Sequence, residues 1–474
     1  MPTRYTPFVR IPCLQKDPTV LTLTSRPYLF VDDQFIDTAD SVRLELHHPV
    51  RQNVAFSFDA PWEGPSSTYC TVLDIAAGND PGTCPFEQPR YRLYYRGMAG
   101  DTDLVGECTC VAESEDGIAF RRRNTWKFPA CGSTANNIIW AGQNDISHNF
   151  APFVDTNPSC TPEVRFKAIG GVSRHKVFAL ASPDGLDWHL FHDDPVLTEG
   201  DFDSLNVAFW DTANRWYAAY VRKSHGGFRS IDRCISEDFI HWSKPEPLDL
   251  GPGELEHLYT NAIRPYARNA SLYLGFPMRF FPHRTRFDSL AEKGVSDAVL
   301  IASRDGLHFP RHFREAFVRP GLDQRNWTQR NLITAAGMIQ TSPSELSTYW
   351  VEHYDHHDCN LMRGTLRVDG FTSLHGGVPG GSAVSRPLKL EGTTLQANLS
   401  TSAGGSVKIG LCDETGKPLE GFSIEDCDDL FGDDLARTVR WKGNRDLSRM
   451  KGAMVRLHLM LRDADVYSLS AVDR

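Results

Sequence analysis

Short apolar or alternating runs, bounded by Gly, Pro, Asn and Asp, follow one another along most of this chain. STYCTVLD (67–74), RYRLYYRG (90–97) and ECTCVAES (107–114) form one group. LNVAFWD (205–211), RWYAAYVR (215–222) and FRSIDRCIS (228–236) form another, and YTNAIRPY (259–266), SLYLGFPMRF (271–280) and DAVLIAS (297–303) a third. NFAPFVD (149–155), VRFKAIGG (164–171) and KVFALAS (176–182) repeat the arrangement, as do NLITAAGMI (331–339), STYWVEHY (347–354) and LMRGTLRV (361–368). Their length and their β-branched and aromatic content predict strands, and no long amphipathic helix is visible. The chain reads as all-β.

Each group ends in one recurring phrase. It is SEDGIAF at 114–120, SPDGLDW at 182–188, SEDFIHW at 236–242 and SRDGLHF at 303–309, with a worn copy, RVDGFTS, at 367–373. The aspartates Asp116, Asp184, Asp238, Asp305 and Asp369 recur every 54 to 68 residues. Such a period is the signature of one supersecondary unit built repeatedly. Three strands, a tight Asp-Gly turn and an outer strand begun by Trp or Phe make a four-stranded blade. Five copies predict a five-bladed β-propeller over 1–376. YLFVDDQFID (28–37) and VRLELHHP (42–49), ahead of the first blade, are expected to close the ring on the last one.

Beyond the Gly-rich HGGVPGGS (375–382) the phrase disappears. TTLQANLS (393–400), SVKIGLCD (406–413), ARTVRWKG (436–443) and MVRLHLML (454–461) alternate with turns such as DETGKP (413–418). They predict a C-terminal β-sandwich over 383–474.

Composition narrows the function. A net charge of −10 lacks the basic face that a nucleic-acid binder needs. No apolar run reaches the roughly 20 residues of a membrane-spanning helix. The N-terminal MPTRYTPFVRIPCLQKDP has no apolar signal core, so a cytoplasmic location is the expectation. The eleven cysteines show no pairing pattern and read as buried thiols. His353, His356 and His357 cluster in EHYDHHDC without a complete metal-ligand spacing, so neither metal nor cofactor is expected. Asn269, Asn326 and Asn398 open N-x-S/T sequons that stay unmodified in that compartment.

In a blade running outward from the axis, the start of strand 1, the end of strand 2 and the start of strand 3 share one face. Strand 1 starts supply Asn149, Asp203, Asn206, Glu256, His257, Asn261, Arg330 and Asn331. Strand 2 ends supply Arg96, Arg222, Arg279, Glu352 and His353, and strand 3 starts supply Arg229 and Asp297. Asp32, Asp33 and Glu63 are further acids near that face. Asparagine is a poor strand former, so the asparagines either cap strand ends or ring a polyhydroxylated ligand. Acids converging with Arg and His on a funnel suit paired acid/base chemistry.

SEDFIHW is similar to the S-x-D-x-x-x-W blade signature of five-bladed glycoside hydrolases such as invertases, inulinases, levanases and arabinanases. A propeller followed by a sandwich resembles glycoside hydrolase family 32. LFVDDQFID, HLYTNAIRPY, GVSDAVLIASRDGLHF and ARTVRWKG resemble largely uncharacterised proteins grouped with that family. The family's W-x-N-D-P-N-G, R-D-P and E-C motifs are absent; PWEG (61–64), Asn149 and Asp203 stand near those places. The resemblance implies a hydrolase cleaving a furanoside, of fructose or arabinose type, or a related exo-linked sugar. Glycosidases need two carboxyl groups. Asp203 and Glu256 are the first candidate pair, with Asp33 and Glu352 next. Trp62 would stack on a sugar, with Arg279 and His353 binding hydroxyls. Two alternatives stand beside this: a glycoside phosphorylase or transglycosylase holding phosphate on Arg96, Arg222, Arg229 and Arg279, and a non-catalytic sugar-binding propeller. The partner in every case is an oligosaccharide or glycoside; homo-oligomerisation stays open.

Overall fold

The computed structural model describes residues 20–76, 90–98, 107–142, 145–172, 176–287 and 293–473. They are almost entirely β, with only short 3-10 turns besides the strands. Among them no helix is long and apolar enough to cross a membrane. The chain divides into two compact units, one of Leu29–Asp32 and Leu44–Leu374, the other of Met1–Tyr28, Asp33–Arg43 and His375–Arg474.

The larger unit holds five antiparallel sheets in chain order. Sheet I runs Thr68–Asp74, Tyr91–Gly97, Cys108–Ser114, with Ile138–Ala141 and Arg121–Arg122 beside the third strand. Sheet II runs Ala151–Val154, Phe166–Gly170, Phe178–Ser182, His189–Leu190. Sheet III runs Val207–Asp211, Trp216–His225, Phe228–Ser236, Glu246–Pro247. Sheet IV is split into two three-stranded ladders, His257–Leu258 with Met278–Phe281 and Val295–Ala298, and Arg264–Tyr266 with Asn269–Gly275 and Ile301–Ser303. The break falls at Pro277, which has no N–H for the ladder. Sheet V runs Ile339–Ser342, Glu345–Glu352, Asn360–Arg367, and its fourth strand is Val50–Ser57. The strand expected to come from 28–49 is therefore the segment directly after it. Ile36–Asp40, from the expected stretch, pairs instead with Gly381–Ser385.

The recurring phrase builds one turn each time. In sheet II the Ser182 Oγ accepts the Gly185 N–H at 2.8 Å, while Asp184 Oδ1 accepts those of Leu186 and Asp187, each at 2.8 Å. The other phrases of this form repeat the pattern on Asp116, Asp238 and Asp305. Gly185 sits at φ 76°, the left-handed region that glycine enters freely. In the third copy Phe239 holds that place at φ 68°. It is fully buried against Phe153 of sheet II and Trp242, so packing offsets the backbone strain. The worn copy differs, because Asp369 is buried and takes hydrogen bonds from Tyr266 and Arg268.

These turns also tie neighbouring sheets together. Tyr94 of sheet I donates to the carbonyl of Gly185, and Tyr220 of sheet III to that of Gly306. Tyr349 of sheet V donates to Gly117 of sheet I. Sheets I and V meet again where the Val72 and Ala336 N–H groups donate to the Ala336 and Cys70 carbonyls, each at 2.9 Å.

In the smaller unit, TTLQANLS and SVKIGLCD are one nineteen-residue strand, Thr394–Cys412, antiparallel to Met454–Val472. Asp433–Thr438 and Gly381–Ser385 flank this pair. Leu395, Ala397 and Leu399, then Val407, Ile409 and Leu411, are buried at every second position; Thr394, Gln396 and Asn398 between the first three are buried as well, so the first half of the strand is covered on both faces.

Candidate functional site

The four asparagines are spent on the scaffold. Asn149 Nδ2 donates to the carbonyls of Gly171, Phe202 and Ser204 at 2.7–3.0 Å, and its Oδ1 accepts the Gly171 N–H at 2.7 Å. Asn206 takes the Arg222 N–H and donates to Phe202 and Ser204. Asn261 donates to Leu205 and Tyr220, and Asn331 takes the Tyr354 N–H. Each is buried. An amide offers one acceptor group and two donors, and these are committed to backbone and, for Asn331, also to the Thr328 hydroxyl.

Several expected acids and bases are likewise held in ion pairs. Arg279 stands directly opposite Asp297 in the register of sheet IV and binds it bidentately at 2.9 and 2.7 Å. Arg279 and Arg311 also bind Glu256, each at 2.8 Å. Glu352 accepts from Arg51 and the Trp350 indole, both at 2.8 Å. Glu63, fully buried, binds Arg122 and Tyr95. His353 is clamped between Asp323 at 3.0 Å and Asp358 at 2.9 Å. Trp62 is partly buried, with its indole N–H on Asn137 at 2.8 Å. Asp33 is exposed and belongs to the smaller unit; Asp32 pairs with Arg304. Among the described residues no group of three or more His, Cys, Asp or Glu is placed to hold a metal ion. Asp203 and Glu256 thus sit in separate clusters and do not form a pair.

Asp203 is different. Its side chain is 49% exposed, and it lines a cavity of about 450 Å³ with Val172, Asp201, Phe202, Arg222 and Arg229. The segment is stitched in place: the Asp201 N–H donates to the Arg222 carbonyl, Arg222 Nε donates back to the Asp201 carbonyl, and the Ser224 N–H donates to Asp201 Oδ2. Behind Asp203 lies His148, whose Nε2 is 2.9 Å from Asp203 Oδ1 and whose Nδ1 is 2.9 Å from Glu107. Arg96 backs this relay, 3.2 Å from the His148 ring and 3.6 Å from Glu107. Its guanidinium lies 4.8 Å from the Tyr69 ring centroid. Arg330 approaches Tyr354, which also meets Arg96.

The charges follow from this wiring. The hydrogen bond from His148 pulls Asp203 down to about 2 against its burial, with Arg222 adding to the effect. Burial pushes Glu107 up, but His148 and Arg96 outweigh it and the net shift is downward. For His148, burial favours the neutral ring, yet Asp203 and Glu107 hold it above its ordinary value. The arrangement favours the protonated ring of His148 between two carboxylates, one of them open to the cavity, against its burial and the Arg96 charge.

The sign for stability differs between the partners. The raised His148 contributes fully below its ordinary 6.5 and loses that contribution as pH rises through its folded value. Asp203 contributes above its ordinary 3.8 and loses it as pH falls towards about 2. Both contributions are complete between about pH 3.8 and 6.5. NMR titration of the imidazoles is expected to show His148 titrating above 6.5, falling back towards that value in Asp203→Asn. An unshifted His148 in the parent protein rejects the relay.

Sequence reasoning named Asp203, Arg96, Arg222, Arg229 and Arg330 but missed Glu107, His148, Asp201 and the tyrosines. Glu107 directly precedes the third strand of sheet I, so the positional rule that selected Arg229 and Asp297 also reaches it. His148 was overshadowed by its neighbour Asn149. Tyr69, Tyr259 and Tyr354 stood among the aromatics that mark strands and carried no separate signal.

No protein-family description matches this chain, and no curated protein matches it. Solved structures do. An N-acetylgalactosamine deacetylase from F. plautii, in complex with blood group B trisaccharide, aligns at 12% identity over 68% of this chain and 95% of its own, with a TM-score of 0.43. An α-L-arabinofuranosidase from Fusarium graminearum aligns at 11% over 69% and 99%, with a TM-score of 0.41. A chain described as a glycoside hydrolase aligns at 12% over 67% and 92%, with a TM-score of 0.42. Likeness this distant carries no conclusion about activity.

Proposed function

We propose that the five sheets are the blades of a five-bladed β-propeller, that 383–474 form a β-sandwich, and that the propeller cleaves a glycosidic bond beside Asp203. The observation that carries the reading is the half-exposed Asp203 carboxylate, held ionised by the His148–Glu107 relay at the wall of a polar cavity. The chain of contacts from sheet I through sheet V and back to sheet I supports the ring.

The second carboxyl group is Asp201 rather than Glu256. Asp201 and Asp203 alternate along one extended segment and line the same cavity. In the proposed step the Asp203 carboxylate takes the proton of a water whose oxygen bonds the anomeric carbon. The glycosidic C–O bond breaks, and its oxygen receives the proton of the Asp201 carboxyl group, leaving one water added across the bond. Furanosides of fructose or arabinose type are the substrates to which the sequence resemblance points.

The test is a panel of aryl furanosides, pyranosides and uronides, each followed by release of the aryl group. Cleavage of at least one, lost in Asp203→Asn, is expected. No cleavage of any member by folded protein overturns the reading.

A further inference from the structure

Several guanidinium groups of this protein that turn inward are matched by carboxylates, Arg92 by Glu113, Arg122 by Glu63, Arg279 by Asp297, Arg311 by Glu256 and Arg363 by Glu345, while the buried Arg264 is held by the carbonyls of Ala208 and Pro152. At the cavity beside Asp203 the balance is different. Arg222 and Arg229 lie 5.2 and 5.3 Å from the centroid of one ring, that of Tyr259, and Arg229 also lies 5.5 Å from that of Phe280. Both line the cavity. Arg222 comes only within 3.9 Å of Asp203, and among the described residues no carboxylate forms an ion pair with Arg229. The two acids on the same wall are already engaged, Asp203 by His148 and Asp201 by the Ser224 N–H. The field of Arg229 is felt nearby: His257 is lowered first by burial, then by Arg229 and His283.

Arg222 spends its Nε on the Asp201 carbonyl and meets Asp203 only at 3.9 Å, and among the described residues no side chain accepts a hydrogen bond from the Arg229 guanidinium. One carboxylate against two cations on the same ring leaves positive charge at the cavity wall that a bound anion offsets. The fork of N–H donors on an arginine matches the paired oxygens of a carboxylate or phosphate. We infer that Arg222 and Arg229 form an oxyanion subsite in the cavity beside Asp203. The ligand is an oxyanion, either the carboxylate of a sugar acid or free phosphate. As a statement of substrate class this rests on the glycoside-cleaving reading above, whereas the subsite itself rests on the two arginines.

The test is calorimetric titration of the full-length protein with inorganic phosphate, D-glucuronate, D-galacturonate and D-glucose at constant ionic strength. Parent, Arg229→Gln and Arg229→Lys are compared, with melting curves to establish folding. At least one oxyanion is expected to bind about tenfold or more tightly than glucose, and Arg229→Gln to weaken that oxyanion about tenfold or more. Arg229→Lys, which keeps the charge and loses the fork, is expected to fall between them, and it decides the question if Arg229→Gln does not fold. Phosphate binding alone identifies free phosphate as the ligand, and sugar-acid binding alone identifies the carboxylate. The inference is overturned if no oxyanion binds, if glucose binds as tightly, or if the folded variants bind like the parent. Cleavage of neutral glycosides alongside any of those results removes the subsite and keeps the enzyme. Oxyanion binding that depends on Arg229, in a protein that cleaves no glycoside, keeps the subsite and removes the enzyme.

Discussion

Asp203→Asn is expected to lower turnover of a cleaved glycoside by about two to four orders of magnitude, the usual worth of a positioned general base. The asparagine Oδ1 still accepts from His148, so the side chain keeps its place while its charge is lost. KM is expected to change far less than kcat, because the reacting group rather than a binding contact is removed. The readout is steady-state kinetics on the best substrate of the panel. A purely structural Asp203 predicts the reverse, a lower melting temperature with turnover preserved. Asp201→Asn is expected to impair substrates with poor leaving groups more than those with good ones, since a good leaving group needs no proton from an acid.

Asn149→Ala is the largest expected loss of stability. It removes the Asn149 partner of the Gly171 N–H and of the Gly171 carbonyl, and one of the hydrogen bonds to the Phe202 and Ser204 carbonyls, which keep those from Asn206. An unsatisfied buried polar group costs about 1–3 kcal/mol, so with two such groups a total of about 2 kcal/mol or more is expected. Urea denaturation measures it directly as a shift in midpoint. Were Asn149 a sugar ligand, the same substitution would raise KM and leave the midpoint unchanged. Asn149 also joins sheets II and III through Phe202 and Ser204, so its loss acts on the approach to Asp203. Turnover is expected to fall together with stability.

The two substitutions separate what was legible in the sequence from what was not. The phrase at Ser182–Trp188 announces its own turn, because Ser182 and Asp184 bond N–H groups two and three residues along the chain. Such local chemistry needs no tertiary partner. Alternation does the same for Leu395, Ala397 and Leu399. The fourth strand of sheet V is Val50–Ser57 and not 28–49, since the two stretches are equally strand-like and only pairing with Asn360–Arg367 selects between them. The break at Pro277 was visible as a residue but not as a division of sheet IV into two ladders.

For the site, the positional rule selected Asp203, Arg222 and Arg229, which line one cavity, together with acids that the fold holds in ion pairs. It ranked Asp203 and Glu256 alike, since both are acids at strand 1 starts. Only the folded chain shows Glu256 shared by Arg279 and Arg311, and Asp203 left half-exposed beside a histidine. By itself the sequence determined the all-β class and the repeating turns, because strand alternation and Ser-x-Asp turns are contacts between near neighbours. The tertiary structure decided which polar groups are consumed and which are left open. That depends on partners such as Glu107 and Asp203, which lie on either side of His148 in space and far apart along the chain.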